Sequence, residues 1–90
     1  HAKLEAGRDI LRETAQRLNL GFPDCPTNFQ LLRLPEETDT GEIVRLVEKG
    51  GFLIKGSFKA RSVADCIRVT LDYPDVMRRF SDALETSLKA

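Results

Sequence analysis

The sequence lacks the residues from which most metal and nucleophilic sites are built. It has a single histidine, His1, and two cysteines, Cys25 and Cys66, which form no CxxC pair. A structural zinc site needs four such ligands, and a reactive cysteine needs a base to activate it. No Ser/His/Asp set, glycine-rich phosphate loop or paired-carboxylate signature is present either. We therefore predict no metal site and no catalytic residue in this chain.

An excess of charge is also lacking, and so are long hydrophobic runs. Fourteen basic residues balance fourteen acidic ones, which gives no indication of a nucleic-acid or membrane surface. The apolar stretches are far too short to span a bilayer, and none resembles a signal peptide. We therefore expect a cytoplasmic protein with reduced thiols, although the sequence leaves a disulfide open. The start on His1 without a methionine suggests a processed chain, a tag remnant or an excised fragment.

The length predicts a single domain, residues 1–90, which buries roughly 60–65% of its unfolded surface. Residues 3–18 carry apolar side chains at helical spacing, and Arg8 falls among the charged residues predicted to be solvated. A second helix is predicted to begin at Asp39, whose carboxylate can cap it. A third is predicted to begin near Asp72, another capping candidate.

Three strands are predicted, at residues 28–34, 52–58 and 65–71. The element order is then α-β-α-β-β-α, an α+β fold in two layers, with helices covering one face of a three-stranded sheet. Because side chains alternate along a strand, the third strand has an apolar face of Ile67, Val69 and Leu71 and a second face of Cys66, Arg68 and Thr70. We expect the helices on the apolar face, which leaves the second face open and basic.

Arg68 needs a partner in this arrangement, because burying an unpaired charge is costly. From spacing alone, an ion pair with Asp65 or Asp72 is favoured over a bound ligand. Lys55 and Ser57 are candidates to complete an anion pocket with Arg68 if the second strand runs antiparallel beside the third. The alternative is a solvated edge strand protected by lysine. The alternation that places Lys55 and Ser57 on the open face assigns the core face to Phe52, Ile54 and Phe58.

Four stretches, taken in order, form a familiar pattern. They are the helix at 4–18, Pro26-Thr27-Asn28-Phe29-Gln30-Leu31-Leu32, Gly51-Phe52-Leu53-Ile54-Lys55 and Cys66-Ile67-Arg68-Val69-Thr70-Leu71, followed by a final helix with Ala83-Leu84. The pattern resembles the C-terminal small domain of fold-type I, pyridoxal-phosphate-dependent aminotransferases, in particular the histidinol-phosphate aminotransferase group. The three strand stretches resemble its S-x-N-F, G-hydrophobic-hydrophobic-V-R and L-R-I-T motifs.

The resemblance implies a role for one arginine. In that family the arginine of the L-R-I-T strand binds the substrate's α-carboxylate, a role that falls on Arg68, with Lys55 and Asn28 as further substrate-binding candidates. The cofactor, pyridoxal 5'-phosphate, is held in such enzymes by a large domain, whose motifs are absent from this sequence. The implied partners are therefore that large domain, an amino-acid or 2-oxo-acid substrate and a second copy in a homodimer. The chain alone is expected to be inactive.

Two departures leave the substrate open. Asp72 stands where the family has glycine, and Lys55 stands where it has arginine, before a long loop with Lys59 and Arg61. Histidinol phosphate is one alternative, and aromatic or other amino acids and the phosphorylated threonine-like substrate of related decarboxylases are others. The rival interpretation is a stand-alone α+β module that binds a protein or a small anion on its open basic sheet face.

Overall fold

A computed structural model describes residues 2–26 and 28–90. Helix α1 spans Ala2–Leu18, strand β1 spans Phe29–Arg33, and helix α2 spans Thr40–Glu48. Strand β2 is only Ile54–Lys55, a single 3-10 turn follows at Arg61–Val63, and β3 spans Cys66–Thr70 before helix α3 at Pro74–Lys89. The predicted order of helices and strands is confirmed.

The sheet has the order β1-β3-β2, with both pairings antiparallel. Ile67 and Val69 of β3 are fully buried, and Leu71, just beyond it, is 5% exposed. They belong to one core cluster with apolar residues of all three helices, such as Leu11, Ile43 and Phe80. The helices therefore cover the apolar face of the sheet, as the alternation predicts, and the α+β fold class is confirmed.

Helices α1 and α3 pack together through small and hydroxyl-bearing residues. A Cβ at Gly7 would lie 2.3 Å from the carbonyl oxygen of Asp72, just before α3. About two helical turns further along α1, the hydroxyl oxygens of Thr14 and Ser81 lie 2.8 Å apart in the buried interface. Glycine and a hydrogen-bonded hydroxyl pair thus allow a close approach without an unsatisfied polar atom.

Arg8 is buried, so its predicted solvation is wrong. It is 7% exposed, and its guanidinium donates to Gln30 Oε1 at 2.5 Å, to the Pro26 carbonyl at 2.7 Å and to the Phe29 carbonyl at 3.3 Å. Its Nε also lies 3.5 Å from a carboxylate oxygen of Glu5. Arg8 therefore ties α1 to β1 and to the connector before it.

The caps at the starts of α2 and α3 differ. The Asp39 carboxylate accepts a hydrogen bond from the Glu42 amide at 3.1 Å, so the predicted cap of α2 is confirmed. For α3 the prediction is wrong: the N-cap residue is Tyr73, no side chain caps the helix, and Pro74 opens it. Asp72 instead accepts from the amide of Tyr73 at 2.7 Å.

The second strand is much shorter than the predicted 52–58. Gly56 packs closely against α2, where a Cβ would lie 2.8 Å from Cγ2 of Val44. Ser57 then adopts a left-handed backbone with φ of 55°, which no strand residue has. The extended segment ends here, so side chains beyond Gly56 no longer alternate in step with Lys55.

Candidate functional site

Arg68 lies at the centre of the sheet face that the helices leave uncovered. It is the middle residue of the central strand, with Leu31 of β1 directly opposite on one side and Lys55 of β2 on the other. Its side chain is half-buried. Because directly paired residues share a face, Leu31, Lys55 and Arg68 form one row across the open face of the sheet.

The ion pairs expected for Arg68 do not form, and that prediction is wrong. Asp65 pairs with Arg33, which also donates to the Ser62 carbonyl at 2.8 Å. Asp72 is engaged with the backbone after β3. Within residues 2–26 and 28–90, the Arg68 side chain forms no ion pair and donates no hydrogen bond to another protein group. Its N–H groups are therefore available to a ligand.

Lys55 brings a second positive charge to the same row. The register pairs it directly with Arg68, and like charges in directly opposed positions destabilise a sheet. An anion bound between them removes that repulsion and gains charge-assisted hydrogen bonds. The arrangement therefore favours a negatively charged ligand.

A shallow notch of about 280 Å³ lies beside these two cations. Leu53, Ile54, Lys55, Arg68 and Thr70 line it, and Leu53 is 72% exposed. The notch offers two cations, one hydroxyl and an exposed apolar side chain. This combination suits a small organic acid that has an apolar part next to its anionic group.

Two phenylalanines flank Arg68, and the sequence analysis identified neither of them as part of the site. The carbon at the centre of the Arg68 guanidinium lies 5.5 Å from the ring centroid of Phe29 and 6.0 Å from that of Phe58. The predicted core position of Phe58 is therefore wrong. The left-handed backbone at Ser57 brings Phe58 to the Arg68 side of the sheet.

The same change of backbone removes Ser57 from the candidate site. Its hydroxyl oxygen lies beside Gly41 at the start of α2, where a Cβ on that glycine would come within 3.3 Å of it. Asn28, the remaining candidate, is exposed one residue before β1, and its carbonyl accepts from the amide of Leu71 at 3.0 Å. The structure thus groups Lys55 with Arg68 and places Ser57 elsewhere.

The described residues do not fit a site for pyridoxal phosphate. All five lysines are exposed, whereas a lysine that forms a Schiff base works from a desolvated pocket. Both cysteines are free thiols, and burial raises the pKa of the Cys66 thiol, which keeps it protonated and unreactive. The described part of the chain holds no cluster of three or more metal-ligating side chains and no helix long and apolar enough to cross a membrane.

A comparison with solved structures identifies the architecture. The crystal structure of a provisionally assigned histidinol-phosphate aminotransferase from Erwinia carotovora atroseptica matches 98% of this chain, with a TM-score of 0.82 and 20% sequence identity. This chain has an aminotransferase-domain fold. It spans 24% of the length of that protein. No family model matches the sequence, and no curated protein matches it either.

At 20% identity the likeness establishes the fold, and the resemblance described from the sequence is confirmed at that level. The motifs that carry the resemblance include the Arg68 strand, which is the central strand of the sheet. The role of Arg68 toward a ligand stays a prediction.

Proposed function

We propose that this chain is the small domain of a pyridoxal-phosphate-dependent aminotransferase, in which Arg68 binds the α-carboxylate of the substrate. One observation carries the proposal: Arg68 stands at the centre of the open face with no protein acceptor among the described residues. The planar guanidinium fork matches a carboxylate with two parallel hydrogen bonds. The matching fold of a histidinol-phosphate aminotransferase supports the proposed parent enzyme.

The chain's own contribution is to bind and orient the substrate. Arg68 fixes the carboxylate, and Lys55 adds a second cation for a phosphate or a further carboxylate on the same molecule. We assign the cofactor and the lysine that would carry it to a large domain of the same enzyme, because the described residues provide no place for them. That large domain would also cover the open sheet face and exclude water from the Arg68 contact. We further propose a cytoplasmic, dimeric enzyme.

The substrate class follows from the two cations. A phosphorylated amino alcohol such as histidinol phosphate, whose phosphate would take the place of the carboxylate beside Arg68, or an amino acid with an apolar side chain against Leu53, suits the notch. The substrate of a phosphothreonine-type decarboxylase carries both a phosphate and a carboxylate, and that reaction is distinguished by loss of the carboxylate as carbon dioxide. Product analysis of the enzyme separates these reactions.

The test of this function is the activity of the full gene product that contains this chain. Arg68→Ala is expected to lower kcat/KM about 100-fold, since it removes two charge-assisted hydrogen bonds to the substrate. Arg68→Lys keeps the positive charge but loses the planar guanidinium, so its kcat/KM should lie between those of the wild type and Arg68→Ala. Arg79→Ala, an exposed arginine of α3, serves as the control and should leave kcat/KM unchanged. Full activity in Arg68→Ala contradicts the proposal.

A second candidate function is a stand-alone module that binds a small anion, and the direct pairing of Lys55 with Arg68 favours it. The two functions differ in the gene. A reading frame of about this length supports the module, whereas an upstream region with a cofactor-binding lysine supports the enzyme. Transaminase activity in the gene product decides for the enzyme.

A further inference from the structure

The two rings beside Arg68 are set apart from the other phenylalanines of the chain. Phe80 is fully buried in the core, and Phe22 and Phe52 pack against it. Phe29 and Phe58 belong to neither group, and both lie within cation–π distance of the Arg68 guanidinium. They come from different segments, β1 and the loop after β2, and meet at this one side chain.

A ring and an acceptor contact different parts of a guanidinium. The five N–H groups point outward in the plane of the fork, whereas an aromatic ring contacts the face of the plane. Arg8 and Arg33 are held by carbonyl, amide and carboxylate oxygens, which occupy their N–H groups. The Arg68 guanidinium instead lies beside two rings, and among the described residues its donors meet no protein acceptor.

We propose that Phe29 and Phe58 are positioning residues, which hold the Arg68 guanidinium in the orientation that accepts a carboxylate. This inference rests on the proposed carboxylate-binding role of Arg68. A long arginine side chain without such contacts must lose its rotamer freedom when the ligand binds, which weakens binding. Each ring is expected to strengthen carboxylate binding by about threefold to tenfold, within the range of partly exposed cation–π contacts.

Nuclear magnetic resonance of the 90-residue chain tests the proposal with two readouts. The first is the proton shift of the Arg68 Nε–H group in the free protein, which a nearby ring displaces from the position of exposed arginines. The second is the affinity for acetate, titrated at constant ionic strength. In Phe58→Leu and Phe29→Leu, the Arg68 signal should move toward the exposed position and acetate affinity should fall about threefold to tenfold. Phe58→Tyr keeps a ring and should restore both.

Phe22→Leu is the matched control. The Phe22 ring lies 5.1 Å from the guanidinium of Arg12 and is half-buried like Phe58, but Arg12 belongs to α1. The variant should shift the Arg12 signal and leave both the Arg68 signal and the acetate affinity unchanged. A loss of acetate affinity in this control would show a general effect of losing a ring and would overturn the proposal.

The failure of this inference differs from the failure of the proposed function. If Arg68→Gln binds acetate as well as the wild type, the carboxylate-binding role is wrong. If Arg68→Gln loses binding while both leucine variants bind normally, that role stands and the positioning role is overturned. An Arg68 signal at the exposed position in the free wild-type protein also overturns it, whatever the affinity. Since Phe29 lies in β1 and Phe58 in a loop, one variant decides the outcome if the other fails to fold.

Discussion

Arg8 and Arg68 show how differently one type of side chain is used within the same chain. Arg8 is buried against carbonyl and amide oxygens and joins α1 to the segment that leads into β1. Arg68 is half-buried on the opposite side of the sheet, and its donors meet no protein acceptor among the described residues. The first arginine therefore stabilises the fold, and the second is suited to a ligand.

The structural role of Arg8 is directly testable. Arg8→Ala should lower the free energy of unfolding by about 2–4 kcal/mol, because the buried amide of Gln30 and the Pro26 carbonyl lose their donor. Urea unfolding followed by circular dichroism measures this change. Arg45→Ala, an exposed helix arginine that pairs with Glu42, is the matched control, with an expected change of about 0.5 kcal/mol or less. Equal effects in the two variants would refute a structural role for Arg8.

The sequence predicts the location of Arg68 but not that of Arg8. Alternation along β3 was enough to place Arg68 on the open face, because a strand has a fixed period of two. The position of Arg8 on the polar side of a helix predicted solvation, but its hydrogen-bond acceptors are more than 17 positions away in sequence, at Pro26, Phe29 and Gln30. No local pattern reports such a contact. The partner of Asp65 is likewise distant in sequence, because Asp65 pairs with Arg33 and not with Arg68, which is closer along the chain.

At the scale of elements, the contact between α1 and the start of α3 depends on one glycine. Gly7→Ala would normally favour a helix by about 1 kcal/mol. Here the new Cβ would lie 2.3 Å from a backbone oxygen and 3.1 Å from Cγ of Met77, so the two segments must separate. We expect a net loss of about 1–3 kcal/mol of unfolding free energy, measured by chemical denaturation.

Gly41→Ala in α2 is the control for this prediction. Its Cβ would meet the Ser57 hydroxyl at 3.3 Å, a side chain that can rotate away. The variant should be neutral or more stable by up to about 1 kcal/mol. A stabilised Gly7→Ala variant would show that α1 and the segment before α3 are free to move apart.

Strand β2 shows which features of an element can be predicted. The existence of the strand agrees with the sequence pattern, and its antiparallel pairing with β3 meets the condition under which Lys55 was a candidate to lie beside Arg68. Its length does not, because the close packing of Gly56 on α2 and the left-handed Ser57 depend on tertiary contacts. Side-chain alternation along a regular strand therefore does not predict the position of Phe58 next to Arg68. The shared face of Lys55 and Arg68 follows from the two-residue period of a strand, whereas the position of Phe58 depends on the end of the strand at Gly56 and Ser57.

For the molecule as a whole, an ion-pair cluster joins the first helix to the last. Glu85 of α3 accepts from Arg17 of α1, and Lys89 lies 2.7 Å from its second carboxylate oxygen. The hydrogen bonds from Lys89 and Arg17 lower the pKa of Glu85 below its ordinary value of 4.5. This contribution to stability is complete above that value and is lost as the pH falls through the lower pKa of the folded state.

Glu85→Gln should therefore make the protein less stable near neutral pH and reduce the loss of stability on acidification below about pH 4.5. The measurement is the urea midpoint of unfolding in a series of buffers from neutral to acid pH. Glu36→Gln, an exposed carboxylate in the loop before α2, is the control. If Glu85→Gln and wild type lose stability in parallel as the pH falls, the cluster does not join the two helices energetically.

The strand order β1-β3-β2 has a consequence for how the protein is made. β1 and β2 are synthesised first, yet the strand that pairs with each of them in the sheet is β3, which follows both in the chain. A nascent chain that ends before Cys66 therefore contains neither of the two strand pairings and exposes both unpaired segments. Arg68 arrives in the same few residues that complete the sheet. The candidate binding group is therefore synthesised together with the residues that complete the sheet, and before α3, which adds Phe80 and Leu84 to the core.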